Sequence, residues 1–264
     1  MMEILLPIML VGGISLLAGA GLAVASILMA VPTDEKYEAI RECLPGANCG
    51  ACGFSGCDGY AAALASGETT ESGLCAPGGA DVTKQIAALL GVEADASRRK
   101  VAVIHCIGRR DHNAETKMNY HGTKSCRTAK QLYGGDNACA YGCIGLGDCR
   151  KFCPFEAITL EDGFPIVHKD QCKGCGMCVN ACPKNLITLE ECGATYTVRC
   201  RNQSKGAACV KICKTSCIGC GLCAKVCESG AVKIEQFCAT IDSAKCTACG
   251  KCKDACKRGA ITVQ

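Results

Sequence analysis

The chain has 264 residues, 28 of them cysteine, with no tryptophan and 4% aromatic residues. A chain so rich in thiols and so poor in large rings must replace part of an ordinary apolar core with cross-links or an inorganic group. Lys and Arg total 29 against 25 Asp and Glu, and no basic stretch is interleaved with stacking aromatics, which argues against a nucleic-acid-binding surface. Many cysteines are separated by only two residues. Neighbours that close cannot form unstrained disulfides with each other, which argues against a secreted disulfide scaffold and for a reducing compartment.

In chain order, the first signal is the run from Leu5 to Val31, 27 residues without a charge. About 20 such residues suffice for a helix across a bilayer, so residues 1–33 are predicted to be a transmembrane anchor that meets lipid through residues 5–31. A cleaved signal peptide would need a basic leading segment, and only the acidic Glu3 precedes the run. Gly12, Gly13, Gly19 and Gly21 suit either close approach of a partner helix or ordinary membrane-helix composition. Lys36 and Arg41 follow the run and none precede it, which places the bulk of the chain in the cytoplasm.

Pro32-Thr33-Asp34 reads as a turn and helix start, and residues 34–98 form a first module. Its sequence PGANCGACGFSGC, continuing to LCAPGG, supplies Cys49, Cys52, Cys57 and Cys75. Glycines at 46, 50, 53 and 56 let backbone approach a compact ligand, DGYAAALA predicts a helix directly after Cys57, and VTKQIAALL predicts another. A polar linker at Ser97-Arg98-Arg99-Lys100 leads to VAVIHC, a predicted strand ending at Cys106. Residues 99–138 read as a linker or small α/β segment, of which 107–138 carry no clear pattern.

From Cys139 a unit repeats: a cysteine-rich loop, a short helix carrying the last cysteine, and a short strand. The strands are AITL after Cys153, LITL after Cys182, AVKI after Cys227 and AITV after Cys256. Successive units begin 33, 45 and 29 residues apart, so the first pairs with the second and the third with the fourth. The fold class is therefore α+β: a single N-terminal transmembrane helix, a small single-cluster domain, then two tandem ferredoxin-like domains over 139–190 and 214–264, joined by a linker at 191–213. The first unit is irregular, with Cys139, Cys143, Cys149 and Cys153 at uneven spacing.

A cubane 4Fe-4S cluster needs four inward-pointing thiolates. A loop with cysteines at every third position supplies three, while the fourth, on the following helix, serves the neighbouring cluster. The predicted ligand sets are Cys139, Cys143, Cys149 and Cys182; Cys172, Cys175, Cys178 and Cys153; Cys217, Cys220, Cys223 and Cys256; and Cys246, Cys249, Cys252 and Cys227. With the first module this makes five clusters. Structural zinc is the rival, but its cysteine pairs are usually separated by longer stretches. Proline follows Cys153 and Cys182, whereas Glu228 and Lys257 follow Cys227 and Cys256.

The membrane-helix signal, LPGANCGACGFSGC, HCIG, YGCIGLGDC and the tandem units together resemble the B-type component of Rnf membrane electron-transport complexes, in its longer form, over essentially the whole chain. The resemblance implies an electron carrier within a ferredoxin:NAD oxidoreductase at the cell inner membrane. It would accept electrons from reduced ferredoxin and relay them to partner subunits that reduce NAD coupled to sodium or proton translocation. The chain has no Rossmann fingerprint or flavin-attachment motif, and the resemblance implies that NAD and flavin would belong to a partner subunit and ion movement to membrane-embedded ones. The alternatives are a polyferredoxin component of a hydrogenase or formate dehydrogenase, and a zinc-binding, non-redox protein.

Eight cysteines remain: Cys43, Cys106, Cys126, Cys192, Cys200, Cys209, Cys213 and Cys238. Burial as small core residues is the plain reading of each. Cys106, Cys126, Cys200 and Cys213 lie in segments that resemble the family and form a possible sixth ligand set, with Cys209 as a substitute. His105 adjoins Cys106 but reads as structural. Residues 196–264 carry 12 Lys and Arg against 4 Asp and Glu, which offers Lys245, Lys251, Lys253, Lys257 and Arg258 as a docking face for an acidic ferredoxin.

Overall fold

The computed structural model describes residues 2–28, 35–94, 99–108, 114–193 and 196–263. The predicted helix-start turn at 32–34 and Ser97-Arg98 lie outside the described residues. Helix α1 spans Met2–Leu28, where the uncharged run predicts a helix. Its reading as a transmembrane anchor is not upheld: among the described residues, no helix is long and apolar enough to cross a membrane. The described side chains of α1 are exposed, Leu16 and Leu17 by 74% and 73%, so α1 adds nothing to the described core.

Helices α2 (Glu35–Cys43), α3 (Cys57–Ser66) and α4 (Gly79–Leu90) form the first module. Ile40, Leu44, Tyr60, Ala61, Leu64 and Ile86 bury together with Cys57 and Cys75. Helix α3 is the one predicted after Cys57, and its start is fixed by Asn48, whose Oδ1 accepts the Cys57 amide at 2.8 Å. Gly56 makes this possible: its φ is 130°, and an added Cβ would sit 2.9 Å from Asn48 Oδ1. Arg41 on α2 pairs with Asp58 on α3.

Two four-stranded units follow. The first holds β1 (Lys100–Ile104), α5 (Cys126–Gln131), α6 (Asp148–Lys151), β2 (Ile158–Glu161), β3 (Phe164–Val167), α7 (Met177–Ala181) and β4 (Ile187–Glu191). The second holds β5 (Tyr196–Val198), α8 (Gly206–Ile212), α9 (Leu222–Lys225), β6 (Val232–Glu235), β7 (Cys238–Ile241), α10 (Lys251–Asp254) and β8 (Ile261–Val263). In each, the outer strands pair antiparallel, β1 with β4 and β5 with β8, and the inner strands form a hairpin, β2 with β3 and β6 with β7. The register sets Ala102 opposite Leu189 and Thr197 opposite Thr262. The outer strands thus draw Lys100–Ile104 and Tyr196–Val198, which precede the cysteine repeats, into the two units.

The cores are small, and a third or more of their buried residues are cysteines. Val101, Ala102, Ile104, Ala157, Ile158 and Ile187 pack with Cys149, Cys172 and Cys178 in the first unit. Val198, Val232, Ala239 and Ile261 pack with Cys223, Cys238 and Cys252 in the second. Each short helix bearing a loop's third cysteine starts after a left-handed glycine, Gly147, Gly176, Gly221 or Gly250, with φ between 75° and 80°. That conformation reverses the chain so that the next cysteine turns back toward the loop.

Gly219 is held more tightly than its dihedral alone requires, because an added Cβ would lie 2.8 Å from the Phe237 backbone, whereas one on Gly230, also at positive φ, meets nothing within 4 Å. Gly230→Ala is expected to destabilise the holoprotein by about 1 kcal/mol and Gly219→Ala by more than about 2 kcal/mol, measured by denaturant unfolding under anaerobic conditions.

Candidate metal centres

The folded chain gathers its cysteines around four cavities and a paired C-terminal core. In the first module Cys49, Cys52, Cys57 and Cys75 line one cavity with Leu44 and Tyr60. Burial pushes the Cys75 thiol up to about 11, and the nearby Cys57, Cys49 and Cys52 add to the shift. Tyr60 is buried to 1% and its hydroxyl donates to the Glu71 carbonyl, closing the floor.

In the first four-stranded unit, Cys153, Cys172, Cys175 and Cys178 line a second cavity, walled by Ala102 and Ile158. The β1 amide of Ala102 donates to the Cys172 sulfur at 3.4 Å. Burial pushes Cys178 up to about 12, with Cys172 and Cys175 contributing.

A third cavity departs from the set read from sequence. It is lined by Cys143, Cys149 and Cys182, but the fourth sulfur is Cys126, and Cys139 is not among its walls. Asp148 makes the difference. Its carboxylate is buried to 5% exposure and accepts the Ser125 hydroxyl and the Arg127 amide, both at 3.0 Å. It thereby caps α5 and holds Cys126 beside Cys149. Burial raises Cys149 to about 12, and Cys126 and Cys182 are the neighbours that raise it further. Cys139 lines a fourth cavity with Cys106, Cys200 and Cys213.

In the second unit the thiols neighbour one another in two groups. Burial pushes Cys223 up to about 11, with Cys217, Cys256 and Cys220 as its charged neighbours. Cys252 is raised by burial, then by Cys246, with Cys227 also contributing. The Ala239 amide donates to the Cys217 sulfur at 3.4 Å, the counterpart of Ala102 on Cys172. His105 is committed elsewhere, its Nδ1 to the Val198 carbonyl at 2.7 Å and its Nε2 to Thr188 at 2.6 Å. Cys209 is buried against the Ser204 and Lys205 carbonyls, Cys43 bonds the Ala39 carbonyl, and Cys192 is exposed.

These sites share a chemistry. Several thiolates converge in low-dielectric pockets, where burial and mutual repulsion both disfavour their charge. A polycation seated among them reverses that balance. Among the described residues, no group of three or more Cys, His, Asp or Glu side chains is set to hold a metal ion. Backbone amides aimed at the sulfurs complete the fit for iron–sulfur clusters.

The protein is therefore an electron-transfer protein that carries multiple 4Fe-4S clusters. Three family models match it: "Putative Fe-S cluster" over residues 44–77, the LdpA Fe-S cluster-binding domain over 139–193 and the 4Fe-4S binding domain over 239–262. It is 40% identical over 243 residues to the B-type component of the Na(+)-translocating ferredoxin:NAD(+) oxidoreductase complex of Acetobacterium woodii, covering 92% of this chain and 72% of the relative. The corresponding component of the ion-translocating oxidoreductase complex of Methanosarcina acetivorans is 39% identical over 244 residues, 89% of this chain and 91% of that one. That of the proton-translocating ferredoxin:NAD(+) oxidoreductase complex of Clostridium ljungdahlii is 40% identical over 232 residues, with 88% and 81% covered. The chain belongs to this family, the B-type components of Rnf complexes.

Asp148 was not singled out in the sequence, where DC reads only as the end of a cysteine loop. Asp148→Ala is expected to lower stability by about 1–2 kcal/mol and to speed iron loss from one cluster of four irons, followed by chelator challenge; unchanged release kinetics would leave Cys126 without its positioning residue.

Proposed function

We propose that the chain is the electron-relay component of a membrane-bound ferredoxin:NAD oxidoreductase. It takes electrons from reduced ferredoxin and passes them to partner subunits that bind flavin and NAD and couple NAD reduction to Na+ or H+ movement. The observation that carries this reading is the sorting of cysteines into separate, closely neighbouring four-sulfur sites in a member of this family. We assign one cluster each to Cys49, Cys52, Cys57 and Cys75; to Cys153, Cys172, Cys175 and Cys178; to Cys126, Cys143, Cys149 and Cys182; to Cys217, Cys220, Cys223 and Cys256; and to Cys227, Cys246, Cys249 and Cys252. Each such group, once bound, takes up and releases one electron at a time.

The chain's own residues set spacing and environment. The Cys49 loop faces the Cys175 loop across a groove lined by Gly50, Ala51, Lys173 and Gly174, and Cys49 is near enough to raise the Cys175 thiol. Cys149 similarly acts on Cys178, linking the next two sites. Ala157, Ile158 and Ile187 keep water from them, and the Ala102 and Ala239 amides stabilise negative charge on sulfur. The clusters lie on the cytoplasmic side, with partner subunits embedded in the membrane underneath.

Ferredoxin docks on the C-terminal unit in this reading. Residues 196–264 hold a formal +8, and two clusters, each with a core of about +2 and four thiolates, leave about +4 to steer an acidic partner. Lys251 meets Glu228 at 2.5 Å on the exposed surface, Arg258 is taken up by the Cys213 and Ser216 carbonyls, and Lys245 lies 4.0 Å from Asp242, so Lys253 and Lys257 are the more available cations, with Lys245 next.

Replacing Lys245, Lys253 and Lys257 with Glu is expected to slow cluster reduction by ferredoxin about tenfold at low salt and to flatten its salt dependence, with iron content unchanged, in stopped-flow absorbance on the anaerobic full chain. An unaltered rate would move the docking site elsewhere. A wild-type preparation holding zinc and no iron would overturn the relay itself.

A further inference from the structure

The fourth cavity lies between the two four-stranded units and belongs to neither repeat. Its sulfurs come from four separate places: Cys106 just after β1, Cys139 ahead of the first loop, Cys200 just after β5, and Cys213 at the end of α8. Cys106 and Cys213 are buried and Cys139 and Cys200 half-buried. We infer that Cys106, Cys139, Cys200 and Cys213 hold a further 4Fe-4S cluster, one that bridges the two units. The inference rests on the relay reading above and adds the site that makes its row of centres continuous.

Several observations point to a ligand in this cavity. Arg201 lines it, and its Nε is buried without a hydrogen-bond partner, an orphaned cationic donor beside four sulfurs. An N–H there suits the net charge of about −2 of a cubane held by four thiolates. Gly108 has no side chain where one would fill the space, since an added Cβ would lie 2.9 Å from the Cys213 sulfur and 4.0 Å from that of Cys106. The Cys143 amide donates to the Cys106 sulfur at 3.4 Å.

The backbone converges on the same place. Residue Ala114 bridges Cys213, the Glu115 amide donates to the Ile212 carbonyl at 2.9 Å, and the Ala138 amide donates to the Glu115 carbonyl at 2.9 Å. The segment at 114–116 thus ties the Cys213 strand to the one carrying Cys139. Arg258 donates to the Cys213 carbonyl at 2.6 Å, which anchors the second unit at the same point.

The position joins the neighbouring sites at both ends. On one side Cys143, whose amide donates to Cys106, belongs to the cavity of Cys126, Cys149 and Cys182. On the other, the buried Cys238 thiol donates to the Cys200 carbonyl at 3.2 Å and packs in one core with Cys200 and Cys217. Loading takes a ready-made 4Fe-4S core of charge about +2 from an iron–sulfur carrier: four bonds to the carrier's thiolates break, four bonds to Cys106, Cys139, Cys200 and Cys213 form, and the four thiol protons pass to the carrier's thiolates.

The test is iron and acid-labile sulfide per chain, with Mössbauer quantitation, on full-length protein purified anaerobically, as wild type and as Cys200→Ala with Cys213→Ala. About 24 irons in the wild type and about 20 in the double variant are expected. A Cys238→Ala control keeps the wild-type count, since that thiol is not a ligand. A wild type at about 20 irons, or a double variant retaining all of the wild-type iron, overturns the bridging cluster while leaving the relay intact. If the double variant misfolds and loses all iron, the wild-type count alone decides. A wild type far below about 20 irons contradicts the five-site relay instead.

Discussion

Buried thiolates repel one another and lose hydration, and the rest of this structure is arranged around relieving that cost. Cys149 and Cys178 are each pushed up to about 12 by burial, with neighbouring sulfurs adding to the effect. The apolar side chains that cause it, Ile158, Ile187, Val232 and Ile261 among them, are too few to hold four-stranded units together by themselves. Filling the sulfur-lined cavities with a cationic core converts the repulsion into attraction and ties helix, loop and strand to one point. Folding and cofactor binding are consequently one process, as in other small metal-bearing domains.

The same constraint explains the backbone. Loops this short can aim three sulfurs inward only with left-handed residues, hence glycine at 147, 176, 221 and 250. They also need amide donors from outside the loop. Ala102 on β1 and Ala239 on β7 supply them to equivalent cysteines of the two units, so the outer and inner strands serve the sites as well as the core. The first module solves the problem with helices instead, using Asn48 to start α3 at Cys57 and Tyr60 to close the floor.

Much of this was readable in the sequence because Cys-x2-Cys-x2-Cys spacing is itself the geometry of a cluster loop. The helix after Cys57, the strand at VAVI and the short strands after each repeat fall where hydrophobic pattern and glycine punctuation put them. The apolar run at the N terminus gives α1 but, among the described residues, not a helix able to cross a membrane. That Cys126 rather than Cys139 lines the cavity of Cys143, Cys149 and Cys182 depended on a contact distant in sequence, the Asp148 carboxylate capping α5. Its one local trace was the uneven spacing of Cys139, Cys143 and Cys149, which shows that the first loop is not a copy of the others. The pairing of β1 with β4 and of β5 with β8 was equally long-range, and no local signal announced it.

The placement of sulfurs gives the molecule a direction. The Cys49 site faces Cys175, the Cys153 site adjoins the Cys126 site, and the cavity of Cys106, Cys139, Cys200 and Cys213 stands between that and the C-terminal pair. Partition of the cysteines among cavities is the central claim, and iron-edge anomalous diffraction from crystals of the holoprotein tests it most directly. The account predicts six compact iron peaks, with Cys126 bound to the one it shares with Cys143, Cys149 and Cys182, and Cys139 bound to the one between the units. Iron bonded to Cys139 together with Cys143, Cys149 and Cys182, with nothing between the units, would contradict it.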